Sequence, residues 1–471
     1  MWKFLPVLLL CQNVFGAKVE PKIDPLVETK LGLIRGLKSD DGNYMKFLGI
    51  PYAVVYIHGG AFIEGSGGDG MSSPKYLMPH DIIYVSINYR IGIYGFMCTD
   101  SPKAPGNVGL KDQLAALRWI NEHIESFGGD DSKITIFGES AGGMSVHLHL
   151  LSRFEKLFDQ AIIQSGPSTS PFTIVDRNND VALKIAESLG FVTDDVEDAI
   201  DFISKTDVNL TIAAGAQLES ISTGYSNEPL TKPCVEKEFE GIERFIEQNP
   251  NVAIPEKAKT TKVIIGICSQ EMLFLHGRQT EEFYTNYSFK DLLQFGFDVT
   301  NFNDMSEALR HFYIGEETQG IEVANYITSF ASDFVFNHPT QRAIDAMVEV
   351  GPKAVYHYMF SYKGDRSMDP DLNSTLRGVA HASDLAYLFD IDFIDGDISE
   401  ADQLTINRLT TMWTNFAKYG DPTPEVTELL PVKWEPVTHD SEPYLDIDKD
   451  LTLLRRPFHA RMAYWDLFYR I

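Results

Sequence analysis

A serine flanked by small residues, Gly138-Glu139-Ser140-Ala141-Gly142, follows the apolar β-branched run Ile134-Thr135-Ile136-Phe137 and precedes a helix-forming stretch from Gly143 to Leu151. G-x-S-x-G between a strand and a helix is the arrangement that lifts a serine hydroxyl above a sheet for nucleophilic attack. The five-residue pattern alone turns up by chance in roughly one such chain in five, given glycine near 7% of residues. Its strand and helix make coincidence much rarer, and a second segment adds weight. Tyr56-Ile57-His58-Gly59-Gly60-Ala61-Phe62 reads as a strand ending in a glycine pair. Acyl transfer builds negative charge on a carbonyl oxygen, and backbone N–H groups must reach that oxygen unobstructed by side chains. Gly60, Ala61 and Ala141 are the candidate donors.

A serine nucleophile needs a base and a carboxylate to orient it, and with this motif they follow in the order Ser, acid, His. Glu271 stands just past the apolar run Val263 to Gly266. His381 lies in Gly378-Val379-Ala380-His381-Ala382-Ser383-Asp384-Leu385, a loop position beyond a later strand. Spacing alone does not choose it from the twelve histidines of the chain. His338, before a proline, and His357, inside a strand pattern, read as structural.

These residues must be positioned by strands and helices in alternation. Short apolar runs at Val54 to Ile57, Ile82 to Ile87, Ile134 to Phe137, Ala161 to Gln164, Val263 to Gly266 and Val355 to Tyr362 read as strands, most of them ending in glycine-rich or polar turns. Leu110, Leu114, Leu117, Ile120, Ile124 and Phe127 keep helical spacing until Gly128-Gly129 stops them. The segment from about Val175 to Lys259 reads as helical and polar, an insertion over the sheet. The expected class is α/β, with a mostly parallel central sheet covered by helices on both faces.

The chain has 471 residues and a formal charge of −27, a surface that repels nucleic acid and anionic membranes. Lys3, the apolar run Phe4 to Cys11 and Val14-Phe15-Gly16 read as a secretory signal over residues 1–16, followed by a single domain over 17–471. No later stretch reads as a membrane span, and the C-terminal end lacks the pattern of a lipid anchor. Secretion into the extracellular space is the expected localisation. Sequons at Asn209, Asn286 and Asn373 suit that route as glycosylation sites. Beyond the signal only Cys98, Cys234 and Cys268 remain, so at least one thiol is free or pairs between chains. No metal-ligand cluster is visible and no cofactor is called for. Oligomeric state is not legible.

From Val54 to Asp466 the chain resembles the type-B carboxylesterases, the family of cholinesterases and many secreted insect-type esterases. The matching segments are HGGAF at 58–62, GNVGLKDQLAALRWI at 106–120, FGGD at 127–130, FGESAGG at 137–143 and QSG at 164–166. Further on come H-x-x-D-L-x-Y-L-F from His381, W-x-x-F-A-x-x-G-x-P from Trp413 and W-x-P at 434–436. The resemblance implies an α/β-hydrolase fold, Ser140 as nucleophile, Glu271 as acid, His381 as base, and Gly60, Ala61 and Ala141 as oxyanion donors. It implies hydrolysis of a small-molecule ester through an acyl-enzyme.

Three positions depart from the family pattern. Met272 stands where glycine usually follows the acid, and Ser383 where an acidic residue is common. The third departure is a joint: Ala53 meets Val54 directly, where relatives insert several tens of residues that include a strand and a disulfide-closed loop. In the family's strand order the first and third strands sit three places apart, roughly 14 Å at about 4.8 Å per step. A direct link does not span that gap. The N-terminal part is therefore expected to be truncated, its strand displaced or re-paired, and a central strand edge exposed. A catalytically impaired isoform, or a non-catalytic ligand-binding or adhesion relative, is the alternative to an active secreted esterase.

Overall fold

The computed structural model describes residues 23–29, 32–38, 45–46, 53–222, 231–297, 302–368 and 376–469. The signal segment 1–16, residues 47–52 before the joint and the Asn373 sequon lie outside them. The chain divides into two compact units, Met1–Leu48 and Gly49–Ile471, where the sequence suggests one domain over 17–471. In the first unit, strands β1 (Ile23–Thr29), β2 (Gly32–Lys38) and β3 (Met45–Lys46) form an antiparallel sheet of their own.

The second unit is built on eight strands: β4 (Val54–Ile57), β5 (Tyr84–Ile87), β6 (Thr135–Glu139), β7 (Gln160–Gln164), β8 (Lys262–Cys268), β9 (Ala354–Phe360), β10 (Pro443–Ile447) and β11 (Leu451–Arg455). Their order is β11-β10-β9-β8-β7-β6-β4-β5, parallel throughout except for β10 with β11. The six strands read from sequence are all present. The hairpin β10–β11 has no counterpart among them, because its mix of Pro443, Asp446, Thr452 and Arg455 lacks an apolar run.

Residues along each central strand alternate between two cores, which is why both of their faces are apolar. Val55, Ile57, Ile136, Ile163, Ile265 and Val355 face one side, where helix α1 (Val108–His123) adds Leu110, Leu114, Leu117 and Ile120. Tyr56, Phe137, Ile162, Ile264, Tyr356 and Tyr358 face the other, against Ile406, Leu409, Trp413 and Phe416 of a long helix, Glu400–Tyr419. Helix α2 (Ala141–Leu151) follows β6 and is almost wholly buried. Among the described residues no helix is long and apolar enough to cross a membrane.

The insertion is helical only in its first half: α3 (Asp180–Ser188), α4 (Val196–Lys205) and α5 (Val208–Ser222). From 231 to 255 the chain is irregular, a correction to the helical reading. Pro233, Pro250 and Pro255 stop a helix at the ends of the run, and Gly241 at φ 75° breaks its middle. That irregular segment is tied instead by a disulfide between Cys98 and Cys234, leaving Cys268 as a buried free thiol in β8.

Two features place the site. From β4 the chain passes to β5 on one side, then crosses to β6 on the other, so β4 and β6 flank a topological switch at their carboxyl ends, where ligands bind in open α/β sheets. Register then sets Ile57, at the end of β4, level with Gly138 in β6, bringing the His58–Phe62 loop and the Ser140 turn to one level. At the same flank the sheet ends on the four-residue strand β5.

The disulfide closes a loop of 136 residues and restricts the unfolded chain accordingly. Replacing Cys98 and Cys234 together by serine is expected to lower the unfolding free energy by about 2–5 kcal/mol. Denaturant titration under non-reducing conditions measures it, and Cys268→Ser serves as the reference variant.

Candidate active site

Ser140 sits between β6 and α2 with φ 56° and ψ −124°, a strained conformation for a residue bearing a side chain. Two backbone bonds hold it there: its N–H donates to the Gln164 carbonyl at 2.9 Å, and its carbonyl accepts from Met144 N–H at 2.8 Å. Close backbone packing fixes the turn against its neighbour. A Cβ on Gly142 would lie 1.9 Å from the Ile57 carbonyl oxygen, so only glycine lets α2 start against the end of β4.

The loop after β4 is strained in the same way. Gly60, Ala61 and Phe62 have φ of 105°, 53° and 66°. The Gly60 carbonyl accepts from Ile63 and Glu64, while Gly92 N–H donates to the Phe62 carbonyl at 2.7 Å. The amides of Gly60 and Ala61 have no backbone partner among the described residues. His58, on the same loop, stacks on Tyr89 at 4.3 Å, and the Tyr89 hydroxyl donates to the His58 carbonyl at 2.8 Å. The loop abuts the serine turn: a Cβ on Gly59 would meet the Glu139 carbonyl oxygen at 2.7 Å and Ser140 Cβ at 3.2 Å.

Glu271 follows β8 and is fully buried. Its Oε1 accepts from Cys268 N–H at 2.7 Å, and its Oε2 lies 2.7 Å from His381 Nδ1. The histidine loop is laced to the same turn by backbone. Gln270 N–H donates to the Val379 carbonyl at 3.0 Å, His381 N–H to the Glu271 carbonyl at 3.1 Å, and Val379 N–H to Ser269 Oγ at 3.0 Å. These bonds explain how two residues 110 positions apart hold one geometry. Phe274 and Phe336 flank the imidazole at ring separations of 5.1 and 4.7 Å.

The other ring nitrogen has a partner that sequence reasoning missed. His381 Nε2 lies 3.0 Å from Oε1 of Glu139, the residue before the serine. Among the described residues the Ser140 hydroxyl makes no hydrogen bond to His381. The structure therefore joins Glu271 and His381 by a hydrogen bond and sets Glu139, the residue before Ser140, at ion-pair distance from the other ring nitrogen. A signal for Glu139 exists only as adjacency, since a carboxylate next to a nucleophile in a sharp turn must lie near the same site.

Burial shapes the electrostatics. It alone would lower the pKa of His381, but Glu139 first, then the bond and charge of Glu271, outweigh it and push the imidazole up to about 9. Burial pushes the Glu139 carboxyl up to about 8, against the pull of His381 and with further push from Asp384 and Glu271. Asp384, also raised by burial, accepts from the Gln164 amide and the Tyr358 hydroxyl, both at 2.8 Å. Gln164 thus holds the Ser140 amide through its backbone and Asp384 through its side chain.

The remaining candidates fall elsewhere. His338 is buried 3.1 Å from Asp466, and His357 is buried within β9. Met272 is buried in a separate core, its N–H donating to Ser332 Oγ at 3.0 Å, and Ser383 is fully buried. Asn209 and Asn286 are exposed.

A family model described as "Carboxylesterase family" matches residues 53–465. Esterase FE4 of Myzus persicae is 31% identical over 400 residues, covering 81% of this chain and 69% of that protein. Juvenile hormone esterase of Tribolium castaneum is 31% identical over 404 residues, covering 79% and 67%. The crystal structure of juvenile hormone esterase from Manduca sexta, with OTFP covalently attached, superposes with a TM-score of 0.76 at 25% identity, covering 90% of this chain and 81% of that one.

The raised pKa of His381 fixes the sign of a pH effect. An imidazole acts as base only when neutral, so kcat/KM for an ester is expected to rise with pH along a limb centred above the ordinary value of about 6.5. Glu139→Gln should move that limb to lower pH. Native His381 also binds its proton more tightly than the unfolded chain does, so its stabilisation is present below about pH 6.5 and lost as pH rises towards 9. Chemical unfolding at pH 6 and pH 9, with and without Glu139→Gln, checks that half.

Proposed function

The chain belongs to the carboxylesterase family, and on that footing we propose that it is a secreted serine hydrolase that cleaves carboxylic esters through an acyl-enzyme on Ser140. The observation that carries the reading is the Glu271–His381 pair at 2.7 Å beside a strained serine turn. Neutral His381 takes the proton of Ser140 as its oxygen attacks the ester carbonyl. Glu271, bonded to Nδ1, fixes the tautomer and stabilises the imidazolium that forms. The amides of Gly60, Ala61 and Ala141 receive the oxyanion, and the alcohol leaves with the proton from His381. Water then repeats the attack on the acyl-enzyme.

Before acting as base, His381 must lose the proton that Glu139 and Glu271 help it hold. The impaired reading draws on the 3.0 Å approach of Glu139 Oε1 to His381 Nε2, together with the sheet's ending at β5: an imidazole kept protonated there would leave the serine inactive.

Secretion rests on the signal segment 1–16 and accords with the Cys98–Cys234 disulfide, since such bonds persist in oxidising compartments. In that route Asn209, Asn286 and Asn373 are N-glycan acceptors. The substrate is a small carboxylic ester, without nucleic acid as partner.

The test is hydrolysis of a short-chain naphthyl ester by the full-length chain purified from culture medium. Activity is expected, and Ser140→Ala should reduce it by at least about a thousandfold. A folded preparation without turnover would establish the impaired reading instead.

A further inference from the structure

Helix α5 (Val208–Ser222) presents an anomaly. Its 15 residues include a single ionisable side chain, Glu219, in a chain of charge −27. A helix this apolar is normally buried all round. Here Thr211, Ala214 and Gly215 are buried, and Ala214 packs into the cluster of Val181, Ala182 and Ile185. Gly215 lies so close to Ile93 that a Cβ would meet it at 3.0 Å. The rest of the first three turns faces solvent: Val208 is 49%, Leu210 58% and Ile212 51% exposed, with Ala213 and Ala216 exposed between them.

Successive helical residues turn by about 100°. On that wheel Val208, Ile212 and Ala216 lie to one side of Asn209, and Ala213 and Leu210 to the other. Over the first three turns Asn209 therefore occupies the middle of the apolar arc, sharing it with one other polar residue, Gln217; Glu219 and Ser220 fall on the same side only in the last turn. Asn209-Leu210-Thr211 is a sequon. The helix start is secured without the Asn209 side chain, because Asp207 Oδ1 accepts from Asn209 N–H at 2.9 Å and the Asp207 carbonyl from Thr211 Oγ1 at 3.1 Å.

We propose that an N-linked glycan on Asn209 covers the solvent-facing apolar arc of α5 and keeps that face from self-association. The inference rests on the secretory routing proposed above. In that compartment the Asn209 amide nitrogen bonds to the anomeric carbon of a lipid-pyrophosphate-linked oligosaccharide. The sugar–oxygen bond to the lipid pyrophosphate breaks, and the nitrogen gives up one proton. A bulky solubilising group at the centre of the arc shields side chains on both sides. Asn286 differs. It follows the short helix Glu281–Thr285, its neighbour Tyr287 is buried, and Ser288 Oγ accepts from Asp291 N–H at 3.1 Å, so no comparable apolar face surrounds it.

The experiment maps glycans on the full chain from the medium of secreting eukaryotic cells by peptide-glycosidase release in heavy-oxygen water and mass spectrometry. It then compares wild type, Asn209→Gln, and Asn209→Gln combined with Leu210→Ser and Ile212→Ser. Asn209 is expected to be occupied. The single variant should bind an anilinonaphthalene dye at least twofold more brightly and sediment as concentration-dependent oligomers, with ester turnover per active site unchanged. The triple variant should return both readings to wild type. A secreted chain beginning at Ala17 with Asn209 bare overturns this assignment alone. So does a single variant that matches wild type, or one that binds neutral lipid vesicles rather than its own copies. A chain held inside the cells with residues 1–16 uncleaved and Asn209 bare overturns the secretory reading as well.

Discussion

His381 is a buried imidazole between two carboxylates, Glu271 at 2.7 Å on one nitrogen and Glu139 at 3.0 Å on the other. A third carboxylate, Asp384, is buried close by and adds to the same field. Burial penalises uncompensated charge and raises the pKa of Glu139 and Asp384, while Glu139 and Glu271 together raise that of His381. Much of the surrounding structure serves this cluster. Cys268 N–H, the Gln164 amide and the Tyr358 hydroxyl all donate to its carboxylates.

The sheet delivers these groups from distant parts of the chain to one level. Glu139 ends β6, Glu271 follows β8, and the His381 loop is bonded to the turn after β8 rather than to a strand. The chain reverses direction across β4 between β5 and β6, and the glycine at 142 lets α2 start against the end of β4. The Ser140 turn is thus held by backbone contact with the strand that leads into the His58–Phe62 loop, and turn and loop are packed as one unit.

Away from the site, each unit has its own sheet: the three N-terminal strands pair among themselves, and the larger sheet ends on short β5. A four-residue edge presents few free backbone groups, one of the ways natural sheets limit edge pairing. The Cys98–Cys234 bond meanwhile anchors the proline-interrupted segment that no regular element holds.

The sequence by itself determined the alternation of strand and helix, because parallel strands buried on both faces read as mostly apolar runs. It also determined the serine turn and the strained His58–Phe62 loop, since both depend on local backbone freedom that glycines announce in place. It marked Glu271 and His381 only through resemblance, as a lone carboxylate or histidine in a loop carries no local signature. The hairpin β10–β11 and the irregular run from 231 to 255 escaped it, one lacking an apolar pattern and the other broken by prolines within a helical composition. Tertiary structure alone decided that Glu139 faces His381, that Asp384 and Gln164 connect behind the serine turn, and that half of α5 stays in solvent. Each of these depends on which surfaces meet across a hundred residues or more, and distance along a chain encodes no such contact.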